Sequence, residues 1–126
     1  MKFQPDLLAG VNAVTRHEPG RLWVGGRPLD GSVLLPWQGD PLPWPLSDLA
    51  ELRAEHFDAV VAMQPEVVIL GTGDRLRFPS TAVLRAMIER RIGVESMDTA
   101  AAIRTYNVLA GEGRRVVGAF ILVRGA

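Results

Sequence analysis

The stretch from Glu66 to Leu70 reads Glu-Val-Val-Ile-Leu and stops at Gly71-Thr72-Gly73. A run this continuously apolar has no side to offer water, so it predicts a central strand covered on both faces. The next segments of the chain sharpen the prediction. Pro79-Ser80-Thr81 opens a helix in which Val83, Leu84, Met87 and Ile88 share one face while Arg85, Glu89 and Arg90 take the other. Gly93 suits the left-handed position after that helix. Val94 to Met97 is a short strand, and Asp98 or Thr99 caps a second helix running to about Ala110 and Gly111-Glu112-Gly113. Val116 to Val123 is again continuously apolar and predicts a second central strand. Strands 66–70, 94–97 and 116–123, each separated by a helix, imply a parallel βαβαβ unit in an α/β fold.

The first half is patterned differently. After a weakly specified lead-in over residues 1–11, Asn12 to His17, Leu22 to Gly25 and Ser32 to Leu35 are strand candidates. Glu18-Pro19-Gly20-Arg21 is a turn signal, because proline presets φ and glycine accepts positive φ. These features predict an antiparallel meander. Trp37 to Pro45 holds three of the nine prolines and two of the three tryptophans. It is expected as an irregular or edge segment, because proline cannot donate to a ladder. Its tryptophans should cover the sheet. A helix is expected within 48–64, with Ser47 as its N-cap and Pro65 closing it.

Length and charge bound the function. A chain of 126 residues fits one domain, here 1–126, with an adequate core. Fourteen basic and fourteen acidic residues cancel, so no basic excess points to nucleic acid. Thirteen of the fourteen basic residues are arginine, which is read as genome composition. There is no cysteine, which removes disulfides and thiolate chemistry, and only His17 and His56 carry imidazoles, so no metal site is expected. No apolar run approaches the roughly 20 residues of a membrane span. Met1 to Asp6 lacks the pattern of a secretory signal, and the cytoplasm is the expected location.

Gly71-Thr72-Gly73-Asp74 comes directly after a buried strand, where α/β proteins often carry ligand loops. It lacks the third glycine of a dinucleotide fingerprint and the Gly-Lys-Ser/Thr of a Walker loop. Two readings stay open: a tight strand exit that needs glycine dihedrals, or a backbone nest for an anion or carboxylate. Arg104 and Asn107 lie three apart on the last helix and are side-chain neighbours. Asn107 falls beside the buried stripe, so its amide needs partners. It either braces a nearby loop such as 71–73 or 97–99, or lines a polar pocket with Thr72 and Arg104. Asp74 and Arg114 complete the candidate binding set of Gly71, Thr72, Gly73, Asp74, Arg104, Asn107 and Arg114. Tyr106, the only tyrosine, is expected in the core with its hydroxyl at the rim. Ser80 has no histidine near it in sequence, and Asp98 reads as a helix cap, so no catalytic residue is assigned and the inventory leans away from an enzyme.

Taken as a set, Pro65-Glu-Val-Val-Ile-Leu-Gly-Thr-Gly73, Gly93-Val-Glu-Ser-Met-Asp-Thr99, Ala102, Thr105-Tyr-Asn107, Leu109 and Glu112-Gly-Arg114 resemble a small family of uncharacterised proteins that includes mitochondrial complex I assembly factor 3. The resemblance covers about 65–123 firmly and extends over 20–64. It implies a three-layer α/β fold with a mixed central sheet, no established enzymatic activity and no known cofactor. It also implies a role through another protein, as in the building of the respiratory NADH dehydrogenase. The chain departs from the eukaryotic member in showing no transit peptide, so that address does not carry over. The expectation is a non-catalytic interaction or assembly module. The alternative is a small-molecule or anion-binding protein, or a weak enzyme, using the 71–73 loop. Neither a particular partner nor an oligomeric state is legible.

Overall fold

The computed structural model describes residues 10–123, so residues 1–9 of the 1–11 lead-in lie outside the described residues. Eight strands and three α-helices run in the order β1 (Val14–Glu18), β2 (Arg21–Val24), β3 (Arg27–Asp30), β4 (Val33–Pro36), β5 (Leu42–Pro43), α1 (Asp58–Met63), β6 (Val67–Gly71), α2 (Thr81–Glu89), β7 (Gly93–Met97), α3 (Thr99–Gly111) and β8 (Val116–Phe120). Two short 3-10 turns, Leu49–Glu51 and Ala54–Phe57, precede α1.

The large sheet has the order β5-β4-β8-β6-β7. β6 pairs in parallel with both β7 and β8, as the crossover reading requires. The chain travels outward from β6 to β7 through α2 and back across β6 to β8 through α3. Crossovers that keep one hand while travelling in opposite directions must lie on opposite faces. The core divides accordingly. Val68 and Leu70 pack with Met87 and Ile92 on the face covered by α2 and the 49–63 segment. Val67 and Ile69 pack with Ala102, Ile103 and Tyr106 of α3 on the other. The apolar run therefore has the ordinary period of two, with both phases buried. Each of these fully covered aliphatic side chains contributes about 1.5–3 kcal/mol.

The first third forms the expected antiparallel meander, but its third strand is not the expected 32–35 segment. β1, β2 and β3 form a separate three-stranded antiparallel sheet, and β4 leaves it to pair antiparallel with β8. All four residues of β4 are buried, which places it inside the large sheet. β3 occupies the cluster expected as a connection. Gly25 and Gly26, at φ +56° and +86°, form the two-residue turn that returns the chain, the left-handed pair that matches strand twist. The small sheet and α3 make up one outer layer, with Val14 and Leu22 in the α3-side core.

Smaller corrections have local causes. Asp48, not Ser47, caps the first 3-10 turn by accepting from the Ala50 amide, while the Ser47 amide and hydroxyl donate to Glu51. After α2 the left-handed residue is Arg91 (φ +58°), and Gly93 opens β7. β8 ends at Phe120, although Ile121 and Leu122 remain buried. β5 is a two-residue edge containing Pro43, and Trp44 lies buried against Phe57, as expected for the proline-rich segment. No helix among the described residues is long and apolar enough to cross a membrane.

Candidate functional site

The C-terminal ends of β6 and β7 and the start of α3 meet at Gly71-Thr72-Gly73. Close approach dictates the sequence here. A Cβ on Gly71 would stand 2.9 Å from Thr99 Oγ1 and 3.0 Å from Thr99 Cα. Gly73 turns with φ +108°, a conformation side chains resist. The polar groups then close on one another. The Thr72 amide donates to the Met97 carbonyl (2.8 Å) and the Gly73 amide to Thr99 Oγ1 (2.9 Å). Thr99 Oγ1 donates to the Ile121 carbonyl (2.7 Å), and its own amide donates to the Gly73 carbonyl (2.8 Å). Thr72 Oγ1 accepts from the Arg77 amide (3.1 Å) and donates towards the carbonyls of Arg75 (2.7 Å) and Met97 (3.0 Å). Both threonines are buried. A nest needs amides directed at an empty concavity; the Thr72 and Gly73 amides are instead engaged within the fold, so the tight-exit reading describes this loop.

The other candidates do not gather around it. Asp98 caps α3, accepting from the Ala101 amide at 2.9 Å. Asn107 lies two turns along that helix and reaches β1: its Oδ1 accepts from the Val14 amide and its Nδ2 donates to the Val14 carbonyl, both at 2.9 Å. It is thus a brace, half-buried, but for the small sheet and not for 71–73 or 97–99. Arg104 and Asp74 are exposed. Arg114 lies before β8, at the opposite end of the parallel strands, where it pairs with Glu66 (3.0 Å) and holds that carboxyl below its ordinary range. A single pocket from Thr72, Asp74, Arg104, Asn107 and Arg114 is therefore not formed. Tyr106 is also deeper than expected. Its ring stacks edge-on to Phe120 and its hydroxyl lies 3.0 and 3.1 Å from the carbonyls of Asn12 and Pro36. Burial raises its pKa well above the ordinary tyrosine value. Of the two imidazoles, His17 lies on β1 and His56 on the 3-10 turn across the large sheet, where its Nδ1 accepts from the Arg53 amide (2.8 Å).

Beyond the closed loop the chain projects outward through Asp74 to Ser80. Leu76 is 50% exposed and Phe78 75% exposed. Phe78 borders a depression of about 200 Å³ walled by Leu49, Leu52 and Val83. The segment is tied down by Arg77, whose guanidinium donates to Asp48 at 3.0 Å. The Ala50 amide and this guanidinium hold the Asp48 carboxyl below its usual range. Sequence reasoning passed over Leu76 and Phe78. The available signal was the alternation Arg75-Leu76-Arg77-Phe78, too short to indicate which side faces water.

A sequence profile of the family described as "Protein of unknown function (DUF498/DUF598)" matches residues 14–121. The chain belongs to that family. It is 37% identical over 100 residues to bovine (Bos taurus) NADH dehydrogenase (ubiquinone) 1 alpha subcomplex assembly factor 3, covering 78% of this chain and 53% of that one. It thus spans about half the length of these curated relatives. A solution structure from Xanthomonas campestris is 43% identical, with a TM-score of 0.77, covering 96% of this chain and 89% of that one. A Bordetella pertussis protein described as an Mth938-like domain is 27% identical, with a TM-score of 0.86, covering 100% and 95%.

Proposed function

We propose that this member of the DUF498/DUF598 family is a non-catalytic module that binds another protein during assembly of a larger complex. The observation that carries the reading is the projecting pair Leu76 and Phe78 beside the depression walled by Leu49, Leu52 and Val83. Single exposed apolar residues are commonplace, but an aromatic and an aliphatic side chain held outward on one segment, the aromatic one bordering a depression, form a contact surface. The segment follows a loop whose Thr72 and Gly73 amides and threonine hydroxyls are bonded within the fold, so it is presented on a rigid base, which reduces the ordering cost of association. The assembly-factor name of the relatives adds support. It makes a subunit of a respiratory NADH dehydrogenase the first partner to test in a host that has one.

The test is capture from the native host with the wild-type chain and with Leu76→Ser/Phe78→Ser. These side chains are exposed, so the unfolding free energy from urea titration should stay within about 0.5 kcal/mol of wild type. The captured partner should be lost. An unchanged partner set would overturn the reading. So would turnover in a broad screen for hydrolase, transferase and redox activity that disappears with Arg104→Ala or Asp74→Ala in a folded protein.

A further inference from the structure

The end of the large sheet opposite the 71–73 loop carries a second feature. There the beginnings of β6, β7 and β8 meet the chain leaving β4, and a cleft of about 620 Å³ opens between them and the ends of α1 and α2. Its apolar surface comes from Trp37, Val61, Met63 and Ile92, and Gln64, Arg90 and Arg115 supply its polar lining. Ile92 is buried, Trp37, Val61 and Met63 are half-buried, and both arginines are exposed.

Neither cation is engaged in a direct ion pair within the described residues. Arg90 sits at the C-terminus of α2, where a basic side chain often compensates free carbonyls. Those carbonyls are already met by backbone amides: Arg90 donates to Ala86 and Met87, Arg91 to Ile88, and Ile92 to Met87. Glu66 accepts from the Arg115 amide (3.3 Å) and is ion-paired with the Arg114 guanidinium, while the Arg115 charge adds only the last and smallest of the effects on its carboxyl.

We propose that this cleft receives a short acidic segment of a partner protein. One large apolar side chain of the segment would seat against Trp37, Met63 and Ile92, with flanking carboxylates on Arg90 and Arg115. The inference rests on the protein-binding reading above and adds a second contact surface with a defined partner chemistry. Trp, Met and Arg are the residue types enriched at protein interfaces, with apolar area at the centre and charge at the rim. A small-molecule site instead encloses most of its ligand; here the polar lining of Gln64, Arg90 and Arg115 is exposed to solvent. A free carboxylate with an aromatic body shares part of the chemistry, and the experiment separates the two.

The full chain is titrated, by fluorescence anisotropy, into a labelled peptide with one central tryptophan flanked by glutamates, and into its twin with lysines in place of the glutamates. The glutamate peptide should bind at least about tenfold more tightly, with the preference shrinking as salt rises. In Arg90→Glu/Arg115→Glu the preference should invert, a gain that unfolding cannot produce. Equal binding of the two peptides, no binding of either, or a preference that survives the double substitution would overturn the proposal. Indole-3-propionate binding as tightly as the glutamate peptide would also overturn it, assigning the cleft to small carboxylates. Neither result depends on Leu76 or Phe78, so failure here and failure of the capture experiment are separately readable.

Discussion

Asn107→Ala offers a measurable check on how the two sheets are joined. Asn107 projects from α3, and its amide meets both backbone groups of Val14, one bond accepted and one donated, each 2.9 Å long. A side-chain amide thus stands in for a neighbouring strand along the α3-facing edge of β1. A net contribution of about 1 kcal/mol per hydrogen bond gives about 2 kcal/mol for the pair. The site is half-buried, so water can reach part of the vacated space, which bounds the loss at about 1–3 kcal/mol. With a urea m-value of about 1–3 kcal/mol/M for a small domain, the midpoint should fall by roughly 1 M at an unchanged slope. Hydrogen exchange localises the effect. The Val14 amide should lose more protection than the β6 and β8 amides, which report global unfolding alone. Asn107→Asp keeps the acceptor for the Val14 amide but sets a carboxylate against the Val14 carbonyl, so it should be no more stable than the alanine variant. If Asn107→Ala changes stability by less than about 0.5 kcal/mol and leaves Val14 protection intact, Asn107 is not a brace.

The loop and the far end of the sheet give two further outcomes. Gly71→Ala should destabilise by about 1–3 kcal/mol through contact with the Thr99 backbone, and Gly73→Ala by at least about 1 kcal/mol through its positive φ; wild-type urea midpoints in both would refute the close-approach account. Glu66 is held below its ordinary pKa, first by the hydrogen bond from Arg114, so the unfolded chain binds the proton more readily. The stability from this pairing is present above the unfolded pKa and lost as pH falls through the folded one. The Tm advantage of wild type over Glu66→Gln should therefore shrink on acidification from neutral pH, and a constant difference across that range would count against the pairing.

The sequence carried the parallel half because its signals are local. A run with no polar side, a cap at Asp98 and a helix with a clear apolar face each depend only on neighbours in the chain. The antiparallel N-terminal meander was legible too, and only its third strand was misassigned, because there the deciding partner is distant. Val33 to Pro36 looks like part of a meander by position, yet its unbroken burial comes from pairing with β8, more than eighty residues on. β3 was partly legible. The Gly25-Gly26 pair is a hairpin signal, but Pro28 and the charges of Arg27 and Asp30 mask a short, exposed edge strand. At Asn107 the apolar stripe indicated that the amide needs partners, and no spacing rule could select Val14, 93 residues away. The left-handed position after α2 fell to Arg91, because the Ile92 amide must turn back to Met87 before β7 starts at Gly93.

The closed loop after β6 bears directly on where this protein acts. Open α/β sheets commonly bind ligands beyond the carboxyl ends of their strands, where loop amides are free. Here Thr72 and Thr99 turn those groups inward, and no buried side-chain polar atom among the described residues lacks a partner. Buried and fully bonded, this network favours one rigid arrangement over an adaptable site. On the proposed protein-binding reading, binding energy comes from surfaces outside the loop, and the two best placed differ in kind. One projects Leu76 and Phe78; the other is a cleft of mixed lining that carries Trp37, Met63 and two arginines. A partner that touches both must reach around opposite ends of the same sheet, whereas two partners could bind together. Titrating the captured partner against wild-type protein saturated with the glutamate peptide separates these cases: competition means one partner spans both ends, and independence means the module links two.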